Sequence, residues 1–234
     1  MVSDAKVGWN RFRGELEALQ ACAGVFVISR EEQWLLESIG IAAEYFPYVP
    51  AESRRQWLSG VRSQRTACVQ DSILVLGTQS NEPTRRGVSE ILAALGGRTE
   101  AHRIVVVGVG SDEITGSATD GPGIHKVGFL SEEDLVKEMA RAKVALVWQP
   151  STSGWPTRLV ELPECGIPVI ANPGALRAQE SFPGVVLART PAEAVDLLQG
   201  PISIDEIGEV ATEAGIELSK VRAMIADAEL DLVR

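Results

Sequence analysis

A parallel α/β sheet covered by helices on both faces is the fold this sequence predicts, and three observations carry it. From Ser72 onward, short runs rich in β-branched residues alternate with segments of helical spacing. The runs are nearly continuous in apolar character, as strands buried on both faces must be. Strict alternation of strand and helix implies right-handed crossovers, and therefore a doubly wound sheet of parallel strands.

The strands are expected at Ile73–Leu76, Ile104–Val107, Val144–Val147, Val169–Ala171 and Val185–Leu187. Between and after them, helices are expected over Arg86–Leu95, Ser131–Ala142, Trp155–Gly166 and Pro191–Gln199. Ser131 followed by Glu132, Glu133 and Asp134 is an N-cap with an acidic first turn, favourable to the helix dipole. Upstream, Asn10–Ala21 reads as a helix, Val25–Ile28 as a strand, and Arg30–Ile39 as a helix closing at Gly40. Tyr45–Pro50 is extended, because a residue preceding proline is pushed out of the helical region. Glu52–Arg65 is a polar helix, and Ile204–Arg234 reads as two amphipathic helices punctuated by Gly215. One strand and a few helices before Ser72 cannot form a large core by themselves.

The chain of 234 residues exceeds a single average domain and leaves a remainder. With 45% apolar and 23% charged residues it has an ordinary globular composition. Acidic residues number 32 against 22 basic ones, a net charge of −10. That balance argues against a general nucleic-acid binder, which needs a basic surface to displace counterions. It also argues against docking on anionic lipid by net charge, although a local basic patch stays open. No apolar run approaches the ~20 residues that span a bilayer, so no transmembrane segment is expected. Met1-Val2-Ser3-Asp4 lacks the cationic start and apolar stretch of a signal peptide. Cys22, Cys68 and Cys165 are dispersed and odd in number, which suggests neither a disulfide framework nor a zinc cluster. A reduced, cytoplasmic protein is expected.

In an open parallel sheet, ligands bind beyond the carboxyl ends of the strands, beside helix N-termini. After Leu76, the polar loop Gly77–Ser80 runs through Asn81-Glu82-Pro83-Thr84 to the paired Arg85 and Arg86. Arginines at a helix start suit a phosphate, through the dipole, backbone N–H groups and guanidinium donors. A solvated loop with surface arginines accounts for the same residues equally well. After Val107, Gly108-Val109-Gly110 lacks the third glycine of a dinucleotide fingerprint and opens no immediate helix, which disfavours a nicotinamide site. After Val147, Gln149–Gly154 leads into Trp155-Pro156-Thr157-Arg158, with Pro156 suited to a helix's first turn. Ser153 and Gly154 then offer a small, donor-rich mouth for an anion or a sugar. Arg158 and Glu161 are three apart and share one helix face; an exposed ion pair is the competing reading.

The segment Gly154–Ile170 resembles the donor-site helix of the GT-B-fold glycosyltransferases of family 4, also called group 1. The family's Pro-x-Lys-x-x-Glu followed by Cys-Gly-x-Pro-Val has its counterpart in Pro156, Arg158, Glu161 and Cys165-Gly166-Ile167-Pro168-Val169. Ile73–Gly77 and Arg86-Gly87 are similar to the first strand and the Lys-Gly phosphate element of the family's C-terminal domain. Val127-Gly128-Phe129-Leu130-Ser131 through Leu135 resembles the loop whose backbone meets the nucleotide base. Val25–Gly40 and Tyr45–Pro50 resemble the end of the N-terminal domain and the linker. On this resemblance, residues 1–50 are a remnant of the N-terminal domain and linker, 51–200 a Rossmann-like nucleotide-sugar-binding domain, and 201–234 C-terminal helices.

The resemblance implies retaining transfer from a nucleotide-sugar donor, with no metal on the diphosphate and no other cofactor. Arg86 takes the place of the family's phosphate lysine, and Arg158 adds positive charge near the departing diphosphate. Glu161 accepts hydrogen bonds from the ribose. Gly154 and Trp155 face the sugar or diphosphate through backbone N–H groups. Gly77, Thr78 and Arg85 complete the phosphate loop, and Gly128, Phe129 and Leu130 the base loop. The leaving phosphate accepts the acceptor's proton, so this half supplies no side-chain base.

Three positions depart from the family pattern. Ser153 stands where a second glutamate often touches the donor sugar, and Thr78 where an arginine follows the first-strand glycine. Pro163 falls inside the expected helix, where it removes a hydrogen bond and shortens or kinks it. His102 and His125 fit neither a metal spacing nor a triad and read as structural or surface residues. The leading expectation is therefore the donor-binding half of a glycosyltransferase, acting with an N-terminal domain that a separate chain could supply. A non-catalytic nucleotide-sugar-binding or scaffold module is the alternative. No convincing residues support an epimerase or a phosphorylase.

Overall fold

The computed structural model describes residues 12–96, 103–115, 119–121, 123–150, 154–177 and 182–200. The helices expected over Ile204–Arg234, as well as His102 and Ser153, lie outside the described residues. Among the described residues, 12–48 belong to one compact unit and 49–200 to a second.

In the first unit, helix α1 (residues 12–20) precedes β1 (Phe26–Val27), α2 (Arg30–Ser38) and β2 (Glu44–Tyr45). The two strands pair in parallel, Phe26 opposite Glu44 and Val27 opposite Tyr45. Helix α2 starts where Ser29 accepts from the Glu32 N–H at 3.1 Å and donates to the Glu32 carboxylate at 2.9 Å, a reciprocal N-terminal cap. It stops at Gly40, whose φ of +83° is left-handed and suits glycine. The Arg30 guanidinium lies 3.9 Å over the Tyr45 ring, and Phe26 meets Phe46 edge-on. No residue of α2 is buried, and Trp34 and Leu35 are more than half exposed.

The second unit opens with α3 (Glu52–Arg65) and carries a six-stranded, all-parallel sheet. In chain order the sheet strands are β3 (Ser72–Leu76), β4 (Arg103–Val107), β5 (Ile124–Gly128), β6 (Ala142–Val147), β7 (Val169–Ala171) and β8 (Val185–Leu187). Across the sheet the order is β5-β4-β3-β6-β7-β8, so the winding reverses between β3 and β6. The helices are α4 (Glu82–Leu95), α5 (Glu132–Arg141), α6 (Arg158–Glu164), α7 (Pro173–Leu176) and α8 (Pro191–Leu197). A short 3-10 turn, Ser111–Glu113, follows β4.

Alternation along the strands fills both faces. Ile73, Val75, Ile104, Val106, Val144 and Leu146 join α4 and α8 in one core, where Ile91, Leu92, Leu95 and Val195 are almost wholly buried. Helix α3 instead packs with α5 and α6, burying Leu58, Val61 and Arg65. The doubly wound parallel sheet expected from the sequence is the observed fold. Two strands go beyond those expected: β2 in the first unit, and in this sheet β5, whose Ile-His-Lys-Val-Gly lies at the edge with His125 exposed, so it lacks the apolar run of a central strand.

Two close approaches decide helix placement. A Cβ on Gly87 of α4 would fall inside the Trp148 carbonyl group, so only glycine lets α4 approach the end of β6 this closely. Arg65, at the end of α3, donates to the carbonyls of Met139 at 2.9 Å, of Ala142, and of Gly166 at 2.9 Å. A buried guanidinium thus ties together the end of α5, the start of β6 and the turn after α6, adding to the bond that the Met139 carbonyl accepts from the Ala142 N–H. Desolvation lowers its pKa from the usual arginine value.

Candidate functional site

Reversal of the winding between β3 and β6 opens a crevice at their carboxyl ends, the place where open α/β sheets bind ligands. Three segments line it: the turn after β3, the start of α4, and the start of α6. The Gly77 N–H donates to the Val107 carbonyl at 2.9 Å, and the Gly77 carbonyl accepts from the Gln79 side-chain amide at 3.0 Å. Both backbone groups of Gly77 are therefore engaged internally. A side chain there would collide with the Thr84 methyl and approach the Arg158 guanidinium, so Gly77 keeps these groups together. Thr78 is exposed, its hydroxyl 3.0 Å from that of Ser80.

Helix α4 begins at Glu82, four residues before the expected start at Arg86. Asn81 is its N-cap residue and Pro83 sits in its first turn, both favourable there. Arg85 and Arg86 therefore lie in the second turn rather than at the helix start. Thr84, Gly87, Val88, Ile91, Leu92 and Leu95 form the buried face, and both arginines are exposed off it. Neither arginine side chain has an ion-pair or hydrogen-bond partner among the described residues.

Helix α6 begins at Arg158, three residues after the expected start at Trp155. Pro156 lies before the helix rather than in its first turn, and its carbonyl accepts from the Leu159 N–H at 2.9 Å. The Trp155 ring is buried, 5.8 Å from the Phe182 ring centroid, while Gly154 is exposed. Pro163 lies inside the helix, which ends one residue later, the shortening expected of it.

Arg158 and Glu161 do not pair, contrary to their spacing on one helix face. Arg158 donates through Nη1 to the Leu76 carbonyl at the end of β3, and no described carboxylate pairs with it. Burial lowers its pKa from the usual arginine value, and no countercharge opposes that shift. Glu161 is held instead by Arg54 of α3, Nη2 to Oε2 at 2.7 Å. The Arg54 guanidinium lies 4.2 Å over the Trp57 ring. Arg54 was not a candidate from the sequence: its partner is 107 residues away, and no local spacing rule reaches that far.

Behind the crevice, polar groups fix the frame. The Gln149 side-chain amide donates to the Thr84 hydroxyl at 3.2 Å. The Gln149 backbone N–H donates to the Asn172 side chain at 3.0 Å, and Asn172 returns a bond to the Gln149 carbonyl at 2.7 Å. Asn172 also caps α7 through the Ala175 N–H. The end of β6 is thereby tied to α4 on one side and to the end of β7 on the other.

Two strand spacings from β3, or about 10 Å, lies the end of β5. The Gly128 N–H donates to the Ser111 hydroxyl at 3.0 Å and its carbonyl accepts from Gly108 at 2.9 Å. Gly128 has φ +69°, and a Cβ there would press on the Asp112 carboxylate. Past Gly128 the chain runs into Phe129 and the partly exposed Leu130. Phe129 is 78% exposed, and Val109 beyond β4 is 54% exposed. The first unit holds a cavity of about 520 Å³ among Leu19–Glu44, and the second one of about 510 Å³ between Gln64 of α3 and Lys137 of α5. Neither is lined by these residues.

The sheet order and its reversal between β3 and β6 define a Rossmann-like class of fold. The chain matches the glycosyl transferase-like family over residues 85–218, more than half of its length, and belongs to it. Among solved structures it is similar to sucrose-phosphate synthase from Thermosynechococcus elongatus, with TM-score 0.61 and 17% identity, covering 81% of this chain and 51% of that one. It is also similar to Anabaena HepE in complex with UDP, with TM-score 0.58 and 16% identity, covering 92% of this chain and 65% of that one. The fold is thus that of the GT-B glycosyltransferases, and the chain spans less than two thirds of the length of either structure. No curated protein matches the chain by sequence. Among the described residues, no helix is long and apolar enough to cross a membrane.

Proposed function

We propose that this chain is the donor-binding, C-terminal half of a retaining group 1 (family 4) glycosyltransferase, taking a nucleoside-diphosphate sugar at the crevice between β3 and β6. The observation that carries the reading is Arg158, a partly buried cation at the end of β3 with no described carboxylate against it. A site built this way favours an anion, because the cation is already desolvated and its charge is uncompensated. HepE, which shares the fold, binds UDP and glucose.

In this reading the diphosphate lies against Arg158 and the start of α4. Arg86, with Arg85, reaches it from the second turn of α4 by the length of its side chain. Thr78 and Ser153 contribute hydroxyls, and Gly154 and Trp155 backbone N–H groups, at the sugar end. Glu161 accepts the ribose hydroxyls. The base lies at the end of β5, against Phe129 and Leu130, with Gly77 and Gly128 shaping the turns rather than touching the ligand. The bond between the anomeric carbon and the diphosphate oxygen breaks, the acceptor oxygen bonds to that carbon on the same face, and its proton passes to the leaving phosphate. The arginines stabilise the charge developing on that phosphate without a metal. An N-terminal domain, in the same or a separate chain, supplies the acceptor site, and the protein works in the cytoplasm.

Calorimetric titration with UDP-, GDP- and ADP-sugars tests this directly: one class should bind and the others bind less well. Failure of all three overturns the reading. A second reading, a nucleotide-sugar-binding module without catalysis, is favoured by the internally engaged backbones of Gly77 and Gly128. It predicts binding with no sugar transfer in the presence of a complementary N-terminal domain.

A further inference from the structure

Glu161 sits on a helix of seven residues that contains a proline, a weak frame for a group that must present its carboxylate at a fixed angle. Its orientation comes from outside that helix. Arg54 and Arg65 are eleven residues apart on the 14-residue α3, three helical turns, and therefore project from the same face. Arg65 donates to the Gly166 carbonyl just past the end of α6, and Arg54 donates to the Glu161 carboxylate near its start. Helix α3 thus braces both ends of α6. The Trp57 ring under the Arg54 guanidinium restricts the arginine in turn. Glu161 is largely covered, its side chain 14% exposed, whereas that of Arg54 is 40% exposed.

Resting on the nucleotide reading above, we propose that Arg54 is a positioning residue for the nucleoside. It fixes the Glu161 carboxylate through Oε2 in the orientation that accepts the ribose hydroxyls, and so sets the preference for ribonucleotides over deoxyribonucleotides. A carboxylate turned away from the diol loses the charge-assisted bonds that distinguish the two sugars. The loss is specific to ligands that carry the hydroxyls.

The test is a titration of the full chain with UDP, GDP and ADP, followed by the 2′-deoxy form of whichever binds. The parent should prefer the ribonucleotide by about tenfold or more, as expected for a hydrogen bond to a charged group. Arg54→Ala should collapse that ratio toward one, while Arg54→Lys keeps a measurable part of it. Glu161→Gln should lower the ratio too, and adding Arg54→Ala to it should lower it no further. Removing a cation weakens every diphosphate alike, so the ratio separates positioning from net charge. Equal weakening of both sugars in Arg54→Ala, or an unchanged ratio, overturns the proposal. Absence of binding by the parent overturns the nucleotide reading itself, a different result. Melting curves of each variant identify any loss that follows from unfolding.

Discussion

The guanidinium of Arg158, at the first position of α6, donates to the carbonyl of Leu76, the last residue of β3. The bond spans the place where the sheet reverses its winding and puts a cation with no described countercharge at the mouth of the crevice. A desolvated, uncompensated charge does not favour folding. Replacing it with an apolar side chain of similar length relieves that cost while leaving one carbonyl unpaired. Arg158→Met should therefore change unfolding stability by no more than about 1 kcal/mol in a urea melt. A structural arginine of the Arg65 kind, which serves several buried carbonyls, would cost about 3 kcal/mol or more on removal.

Two glycines in helices should respond in opposite directions to the same change. Gly87→Ala drives a methyl into the Trp148 carbonyl, where backbone meets backbone and neither yields cheaply. A loss of about 3 kcal/mol or more is expected, read as a shift in denaturation midpoint. Gly60, in the middle of α3, has open space where a Cβ would go. Gly60→Ala should stabilise the protein by roughly 0.5–1 kcal/mol, by removing unfolded-state freedom.

The Glu138 carboxylate of α5 receives two hydrogen bonds from Arg103 at the start of β4, at 2.6 and 2.9 Å. That fork lowers the pKa of Glu138, against the opposing effect of burial. A depressed carboxylate pKa gives stability that is present above the unfolded value, near 4.3, and is lost as pH falls through the folded one. Glu138→Gln should cost about 1 kcal/mol at pH 7 and flatten the decline in stability below about pH 4. An equally steep acid decline in the variant would assign that decline to other groups.

Three cysteines should sort cleanly by reactivity. Cys22 and Cys68 are exposed, whereas Cys165 is buried behind α6 and its thiol is pushed up to about 12 by burial. A thiol reagent at pH 8 should titrate two groups in the native protein and a third only on unfolding. Rapid reaction of all three would mean that α6 opens readily.

The central strands were legible because parallel strands covered on both faces must be apolar at every position. Leu74 and Val105 are as buried as their neighbours Ile73 and Ile104. At the sheet edge that rule weakens, and β5 carries no such run. Its Lys126 is tied by its ammonium to the Ile114 carbonyl at 2.6 Å, a partner no pattern reveals. The start of α4 was readable in principle, since Asn81, Glu82 and Pro83 suit an N-cap and first turn. They read instead as loop because proline and asparagine also mark turns. At the site, the described residues of the loops after β3, β5 and β6 follow the carboxyl ends of parallel strands of one sheet. Their pairings did not follow from spacing: Glu161 chose Arg54 over Arg158 because tertiary packing of α3 on α6 overrides the three-residue rule.

The most direct measurement of the central claim is calorimetric titration of UDP, GDP and ADP into the parent chain and into Arg158→Met. The account predicts that at least one nucleoside diphosphate binds the parent, and that the variant binds it about ten- to a hundredfold more weakly, with its melting temperature little changed. Equal affinity in the two proteins, or no binding by the parent, would contradict it.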